Sequence, residues 1–377
     1  MGTHIITAIV EGQQFEGFIS GNIESSMIRP ADSFVLRVPA TELAWRTLRR
    51  DARIAIKADG TTLLDGFIDR REFEGKADVI IISGRDRVGR MVDESAPAIN
   101  YTGMTILEAA RRLASPWFDV VTLSDARNRR LRRGKGRRAA SGNEPVVTIN
   151  VRVPRRGNVH PGETRWQILH EILGRAGLIG YSSSDGRELF IGKPNRNQDV
   201  QYMFALGVDG GQVETTVRDL KIIEDDGDRF SLYLVAGVGG QTDTNYGSNV
   251  TDNRGVAFDN PFNRIDGTGR DFIHPKRMFL PERAFDSYGD AEQVARNEKD
   301  RRDFHRHSAS IEMDGFGQFL GTSAATLFSP DTVARIAVER IGIDEPYLVV
   351  SCSYSFARDG ADTTTMHAVP LATEIIL

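Results

Sequence analysis

At 377 residues the chain is long enough for two or three domains, each with its own core. Its 40% hydrophobic and 27% charged residues are the balance of a folded globular protein and exclude a disordered one. A formal net charge of −4 excludes nucleic acid as the partner of the whole surface and leaves only local patches for that role.

The N-terminus, Met1 to Ile6, has no basic start and no long apolar run, so no secretion signal is expected. Ile6 stands where a myristoylation signal needs Ser or Thr. Strands are then predicted at Ile5 to Val10, Phe15 to Ile23, Phe34 to Val38, Ile54 to Ala58, Leu63 to Ile68 and Val79 to Ile82. Asp59-Gly60 is a hairpin turn signal, and Thr41 to Leu48 reads as a short helix with Leu43, Ala44 and Leu48 on one face. Short strands at this spacing point to a small β-barrel over residues 1–99. Asp65, Asp69 and Glu72 read as a solvated strand face rather than as a metal or acid–base site. After Val79 to Ile82 the chain is expected to turn through Ser83 and Gly84 into the charged Arg85-Asp86-Arg87, the exit from this barrel and a candidate hinge or interface.

Residues 100–200 read as an α/β module. Thr105 with Glu108 and Thr164 with Gln167 form capping boxes, each opening a helix with a regular apolar stripe. Leu178 to Tyr181 and Glu188 to Ile191 flank a hairpin signal at Ser184-Asp185-Gly186. The run Gly162-x-Thr164-x-Trp166-x-Ile168-Leu169 resembles the start of LysM-type modules, which implies as the alternative a cell-wall glycan-binding or processing protein using residues 160–195. Between the helices, residues 127–138 carry eight cations: Arg127, Arg129, Arg130, Arg132, Arg133, Lys135, Arg137 and Arg138. Such a block repels itself and reads as a loop for a polyanion or an acidic partner; no aromatic is interleaved for base stacking.

Val217 to Ile223 and Phe230 to Val238 are predicted as a strand pair joined by the acidic turn Asp225 to Asp228. That turn lacks the spaced ligands and closing Glu of an EF-hand. Residues 239–287 are polar and aperiodic, a long excursion, and Ala291 to Phe304 reads as a charged helix within 239–307. His305 and His307 read as a surface pair, with no third metal ligand nearby. Further strands are predicted at Ile311 to Met313, Val333 to Val338, Tyr347 to Phe356, Thr363 to Pro370 and Glu374 to Leu377; with 201–238 they make a second β-barrel over 308–377. Cys352, the only cysteine, excludes an intrachain disulfide, suits a reducing site of synthesis and reads as a core thiol. No nucleophile elbow, cofactor loop or metal motif is present, and no run of about 18 apolar residues predicts membrane insertion.

Several segments together are similar to one family. They are Ser83-Gly84-Arg85-Asp86 with Gly89 and Val92-Asp93-x-Ser95-Ala96; Arg296, Glu298 and Arg301 before Gly315-Phe316 and Gln318; and Leu327-Phe328-Ser329-Pro330-Asp331-Thr332-Val333-Ala334. Ile341-Gly342-Ile343, Tyr347 to Val350 and Phe356 to Met366 complete the set. Their order resembles the tail (baseplate) hub proteins of Mu-like contractile phages, the gpP family. The resemblance implies a β-rich α+β fold of two small barrels similar to tail-tube barrels, with an α/β module between them. It implies a non-enzymatic homotrimer, without cofactor, that joins a six-fold tail tube to a three-fold spike. The implied partners are the tail spike, the tail tube or distal tube protein, the baseplate wedge proteins and the tape measure, with DNA only in transit through a central channel. The implied place is the virion's tail baseplate, after assembly in the host cytoplasm. The basic segment 127–138 and the excursion depart from the family pattern.

Overall fold

The computed structural model describes residues 4–101, 103–122, 153, 162–194, 196–206, 217–237, 253–259, 276–281, 288–318 and 326–373. The chain opens with β1 (Ile6–Val10), β2 (Gln13–Phe15), β3 (Ser20–Ser26), β4 (Ser33–Pro39), α1 (Glu42–Thr47), β5 (Arg53–Ala58), β6 (Thr61–Glu74), β7 (Val79–Asp86) and α2 (Val88–Asp93). The α/β module follows, with α3 (Ile106–Ala114), β8 (Asp119–Thr122), α4 (Arg165–Arg175), β9 (Ile179–Ser182) and β10 (Glu188–Gly192). Then come β11 (Val200–Leu206), β12 (Val217–Glu224), β13 (Leu232–Gly237), β14 (Asn253–Phe258), β15 (Arg277–Pro281) and α5 (Tyr288–Arg306). The chain closes with β16 (His307–Asp314), β17 (Gly317–Gln318), β18 (Thr326–Leu327), β19 (Thr332–Val338), β20 (Ile343–Ala357) and β21 (Thr363–Pro370).

The fold is β-rich with few helices, and most strands join one sheet. Its path runs β12-β16-β21-β20-β3-β4-β7-β6-β5-β1-β2, with β19 beside β20 and β11 beside β19. Alternation sets its faces: in β4, Phe34, Leu36 and Val38 point inward, while Val35 and Pro39 face solvent. One apolar core runs under both ends of the chain, from Ile6, Ile23 and Ile54 to Ile311, Ile336 and Tyr354. The described strands do not close into a barrel; the two β-rich ends are hydrogen-bonded edge to edge through β3 and β20.

The sheet contains the same unit twice. In the first half the order is β3-β4-β7-β6-β5-β1, and in the second it is β12-β16-β21-β20-β19-β11. The matching neighbours are antiparallel in both, except that β11 runs parallel to β19 whereas β1 runs antiparallel to β5. Local details repeat as well. Asp51 and Asp331 each enter the unit's fifth strand with positive φ, 68° and 56°. Each donates its backbone N–H to the neighbouring strand, Asp51 to the Ile68 carbonyl (2.8 Å) and Asp331 to the Val349 carbonyl (3.0 Å). One residue further on, both long strands bulge, between Ile68 and Arg70 and between Val349 and Ser351.

Both capping boxes form: Thr105 with Glu108 opens α3, and Thr164 with Gln167 opens α4. These helices share a core of Leu113, Trp166, Leu169 and Ile172, and β8, β10 and β9 make a small sheet beside them. A second core patch, with Tyr181 and Phe190 against Val333 and Leu348, seats this module on the last strands of the main sheet.

Three expectations are corrected. β7 does not turn at Ser83-Gly84 but runs on to Asp86, because Gly84 is wanted inside the sheet, where a Cβ would sit 1.9 Å from the Phe67 carbonyl oxygen. Leu43 is 64% exposed, while Ala44 and Leu48 alone bury the inner face of α1. The strands at 217–223 and 230–238 do not pair with each other: β12 pairs with β16, and β13 lies between β14 and β15 in a separate three-stranded sheet covered by α5. Thus the excursion supplies two strands, because β13 needs partners that local turn signals do not reveal. His305 lies exposed in the last turn of α5, while His307 begins β16 and bonds the Tyr347 hydroxyl at 3.1 Å. The predicted strand from Glu374 lies outside the described residues.

Candidate functional site

The end of β7 is where the main sheet meets the α/β module, and Arg85, Asp86 and Arg87 each do different work there. Arg85 reaches outward. Its Nε donates to Asp69 on β6 (2.7 Å), and its two terminal nitrogens form a fork on Asp93 of α2 (3.1 and 2.6 Å). The bonds to Asp93 and Asp69 hold the guanidinium firmly in its charged form, and Arg85 in turn holds the Asp93 carboxyl below the usual carboxylate range. Gly89 lies beneath this fork; a Cβ there would come within 2.9 Å of the Arg85 Cβ.

Asp86 points the other way and is buried. Its carboxylate accepts the Val88 N–H (3.0 Å), starting α2, and the Ser182 hydroxyl of β9. Its own N–H donates to the Asp32 carbonyl (3.0 Å). Asp32 is buried too and accepts from the Ser25 hydroxyl and the Ser26 N–H, both at 2.8 Å. Burial pushes the Asp86 carboxyl up to about 7; burial, with Asp86 close by, also pushes Asp32 well above its ordinary value. Two neighbouring carboxyls in a dry site resist losing both protons.

Arg87 turns to Asp65, at 3.3 Å through two nitrogens, and to the Trp117 carbonyl (3.4 Å). Arg53 meets the same carboxylate at 3.2 and 2.8 Å. Asp65 is therefore a buried anchor for two arginines and not a solvated residue of a strand face, which corrects the reading from sequence. A second knot lies behind it: the Trp117 indole N–H and Arg165 both donate to Glu94, each at 2.9 Å, and with Trp117 as the larger influence they hold that carboxyl low.

β9 spans the two halves of the molecule with adjacent side chains. The Ser182 hydroxyl bonds Asp86 of the first unit, and the Tyr181 hydroxyl donates to Asp331 of the second (2.7 Å). The sequence singled out Arg85, Asp86 and Arg87, and the structure brings all three to this junction. It gave no pointer to Asp32, Ser182 or Tyr181, which lie far away along the chain and carry no motif. The eight cations of 127–138 lie outside the described residues. Cys352 is buried among core residues, and burial pushes its thiol far up. Trp166, the aromatic of the LysM-like run, is buried between helices. Asp225 folds back to accept the Gly227 N–H (2.7 Å), a local turn bond.

This architecture has close counterparts among solved structures. A tail protein from Neisseria meningitidis MC58 superimposes with a TM-score of 0.72 over 98% of both chains, at 19% identity. The 43 kDa tail protein of prophage MuSo2 from Shewanella oneidensis gives 0.71 over 98% of this chain and 99% of that one, at 16% identity. The fold is that of a phage tail protein. It extends beyond phages: the E. coli c3393 protein, a component of the type VI secretion system with structural similarity to T4 tail proteins, matches with a TM-score of 0.52 at 11% identity, over 98% of this chain and 78% of that one. No family model matches the sequence, and no curated protein matches it. The tail-protein fold thus persists here at identities where sequence comparison is silent.

Proposed function

We propose that the chain is the baseplate hub of a contractile phage tail, a homotrimer that adapts the six-fold tail tube to the three-fold spike around a central channel. The observation that carries this reading is the internal repeat. Each chain holds two equivalent six-strand units side by side, so three chains around a three-fold axis offer six units to a six-fold ring above and three identical faces to a spike below. In this reading the first unit is the β-rich domain of residues 1–99. The second is that of 201–238 with 308–377, less β13, which belongs to the excursion's own sheet. The α/β module at 100–200, tied to both units by Tyr181 and Ser182, fixes their relative angle.

The role is structural and not enzymatic. The partners are the spike, the tail tube or distal tube protein, the wedge proteins and the tape measure, with DNA passing only in transit. The place is the virion's baseplate, after assembly in the host cytoplasm. The eight cations of 127–138 suit contact with a polyanion or an acidic partner. The buried Trp166 leaves the glycan-binding alternative without the exposed aromatic that a sugar ring would stack on.

The test is co-assembly. The purified chain is mixed with the spike and tube proteins encoded beside it and separated by size. Co-elution with both, in a particle carrying three copies of this chain, is the expected result. Failure to bind either protein would reject the hub role.

A further inference from the structure

We infer that the outer edge of β12 in one copy pairs with residues 70–74 of β6 in the next copy, in a register dictated by the internal repeat; this rests on the ring reading above. Within one chain, the two units are joined by β3 against the second half of β20: Ser26 faces Ser351, Ser25 faces Cys352, Glu24 faces Ser353, Ile23 faces Tyr354 and Asn22 faces Ser355. The repeat assigns an equivalent to every member of that joint. Past the matching bulges, Arg70, Arg71, Glu72, Phe73 and Glu74 of β6 stand where Ser351 to Ser355 stand in β20. On the other side, Ile23 pairs with Phe34, which pairs with Gly84; Ile222 pairs with Ala309, which pairs with Ala368. Gly84 and Ala368 face the equivalent Ile68 and Val349, so Ile222 of β12 is the counterpart of Ile23.

Carrying the joint over to two copies places Arg70 opposite Asp225, Arg71 opposite Glu224, Glu72 opposite Ile223, Phe73 opposite Ile222 and Glu74 opposite Lys221. Three of the five pairs join opposite charges, none joins like charges, and one joins two apolar side chains. The register was fixed by backbone pairing alone, so the charges are an independent observation in its favour. The internal joint has no such charge pairs. Charges suit a joint that must find its register between separate molecules.

Both edges are open to receive a partner. Among the described residues, β6 beyond Ile68 has β7 on one side and no strand on the other, and β12 has β16 on one side only. Burial marks the missing neighbour. Tyr354 and Ile23, which meet at the internal joint, are 2% and 0% exposed. Of their counterparts, Phe73 is 54% exposed, with an edge contact to Trp45 (ring centroids 6.5 Å), and Ile222 is only half-buried. A second copy of this chain is the occupant that the repeat, the edges and the charges all fit.

The test uses charge reversal of the full chain, read by light scattering. Arg70→Glu with Glu74→Lys breaks two pairs from one side; Lys221→Glu with Asp225→Lys breaks them from the other. Each double variant is expected to associate at least about tenfold more weakly than wild type while keeping the wild-type circular dichroism spectrum, and the quadruple variant to regain association. Double variants that assemble as wild type does, or a quadruple variant that stays apart, would overturn this docking while leaving the trimer standing. A wild-type chain that never self-associates, even with spike and tube present, would overturn the ring reading and this joint with it.

Discussion

Asp86 is the residue on which the junction between sheet and module turns. Its carboxyl, pushed up by burial to about 7, and that of Asp32, pushed up likewise, are higher in the fold than in an unfolded chain. Such groups add stability that is full below the unfolded value and is lost as the pH rises through the folded one. The protein therefore loses stability between pH 5 and pH 8, on the order of 2 kcal/mol from Asp86. Burial lowers His170 and His367, which act in the opposite sense below about pH 6.5, so the useful reading is a difference between variants. Asp86→Asn keeps an acceptor for the Val88 N–H and a partner for Ser182, and is expected to melt with a much flatter pH profile than wild type. Equal slopes for the two proteins in thermal melts from pH 5 to 8 would refute this account of the site. The charged triplet at 85–87 was legible in sequence as a point of interest, but its wiring was not. Ser182 lies 96 residues from Asp86, and nothing in either local pattern links them. Asp65 is hidden for the same reason: an acid in an amphipathic strand carries no local sign of Arg53 and Arg87, which converge on it.

At the scale of elements, what was local was readable. The two capping boxes and the turn at Asp59-Gly60 need only neighbours in sequence and appear where the residues placed them, whereas the strand expected from Phe15 to Ile23 is broken at residues 16–19 between β2 and β3. What depended on distant partners was not readable. The acidic turn between them predicts β13 as the partner of β12, yet its partners β14 and β15 come from a polar stretch without periodicity. The packing of α5 on that sheet shows how little room is left. A Cβ on Gly255 of β14 would lie 2.0 Å from the backbone carbonyl of Ala291, so strand and helix touch main chain to main chain. Gly255→Ala is expected to lower stability by about 2 kcal/mol or more and to reduce the melting temperature by several degrees. An unchanged melting temperature would mean that β14 does not pack so closely on α5. Gly66 and Gly84, whose added Cβ atoms would meet backbone of β7 and β6 respectively, mark the equally tight crossing at the end of β7.

For the whole molecule, the decisive feature is a duplication that sequence inspection saw only as two β-rich ends. The positions that repeat are turns, bulges and backbone bonds, such as those at Asp51 and Asp331, and these tolerate different side chains, so the likeness survives in geometry after it has faded in sequence. That the two units form one sheet was beyond reach from sequence, because β3 and β20 come from opposite ends of the chain. A sheet that already runs unit to unit within a chain, with the edges of β12 and of β6 beyond Ile68 open among the described residues, is built to continue into a neighbour. The most direct measurement is the mass of the purified chain in solution, with electron images of the same peak. The account predicts three times 41.8 kDa, about 125 kDa, in rings with a central hole and six similar lobes. A two-fold dimer, or a compact oligomer without a channel, would contradict it.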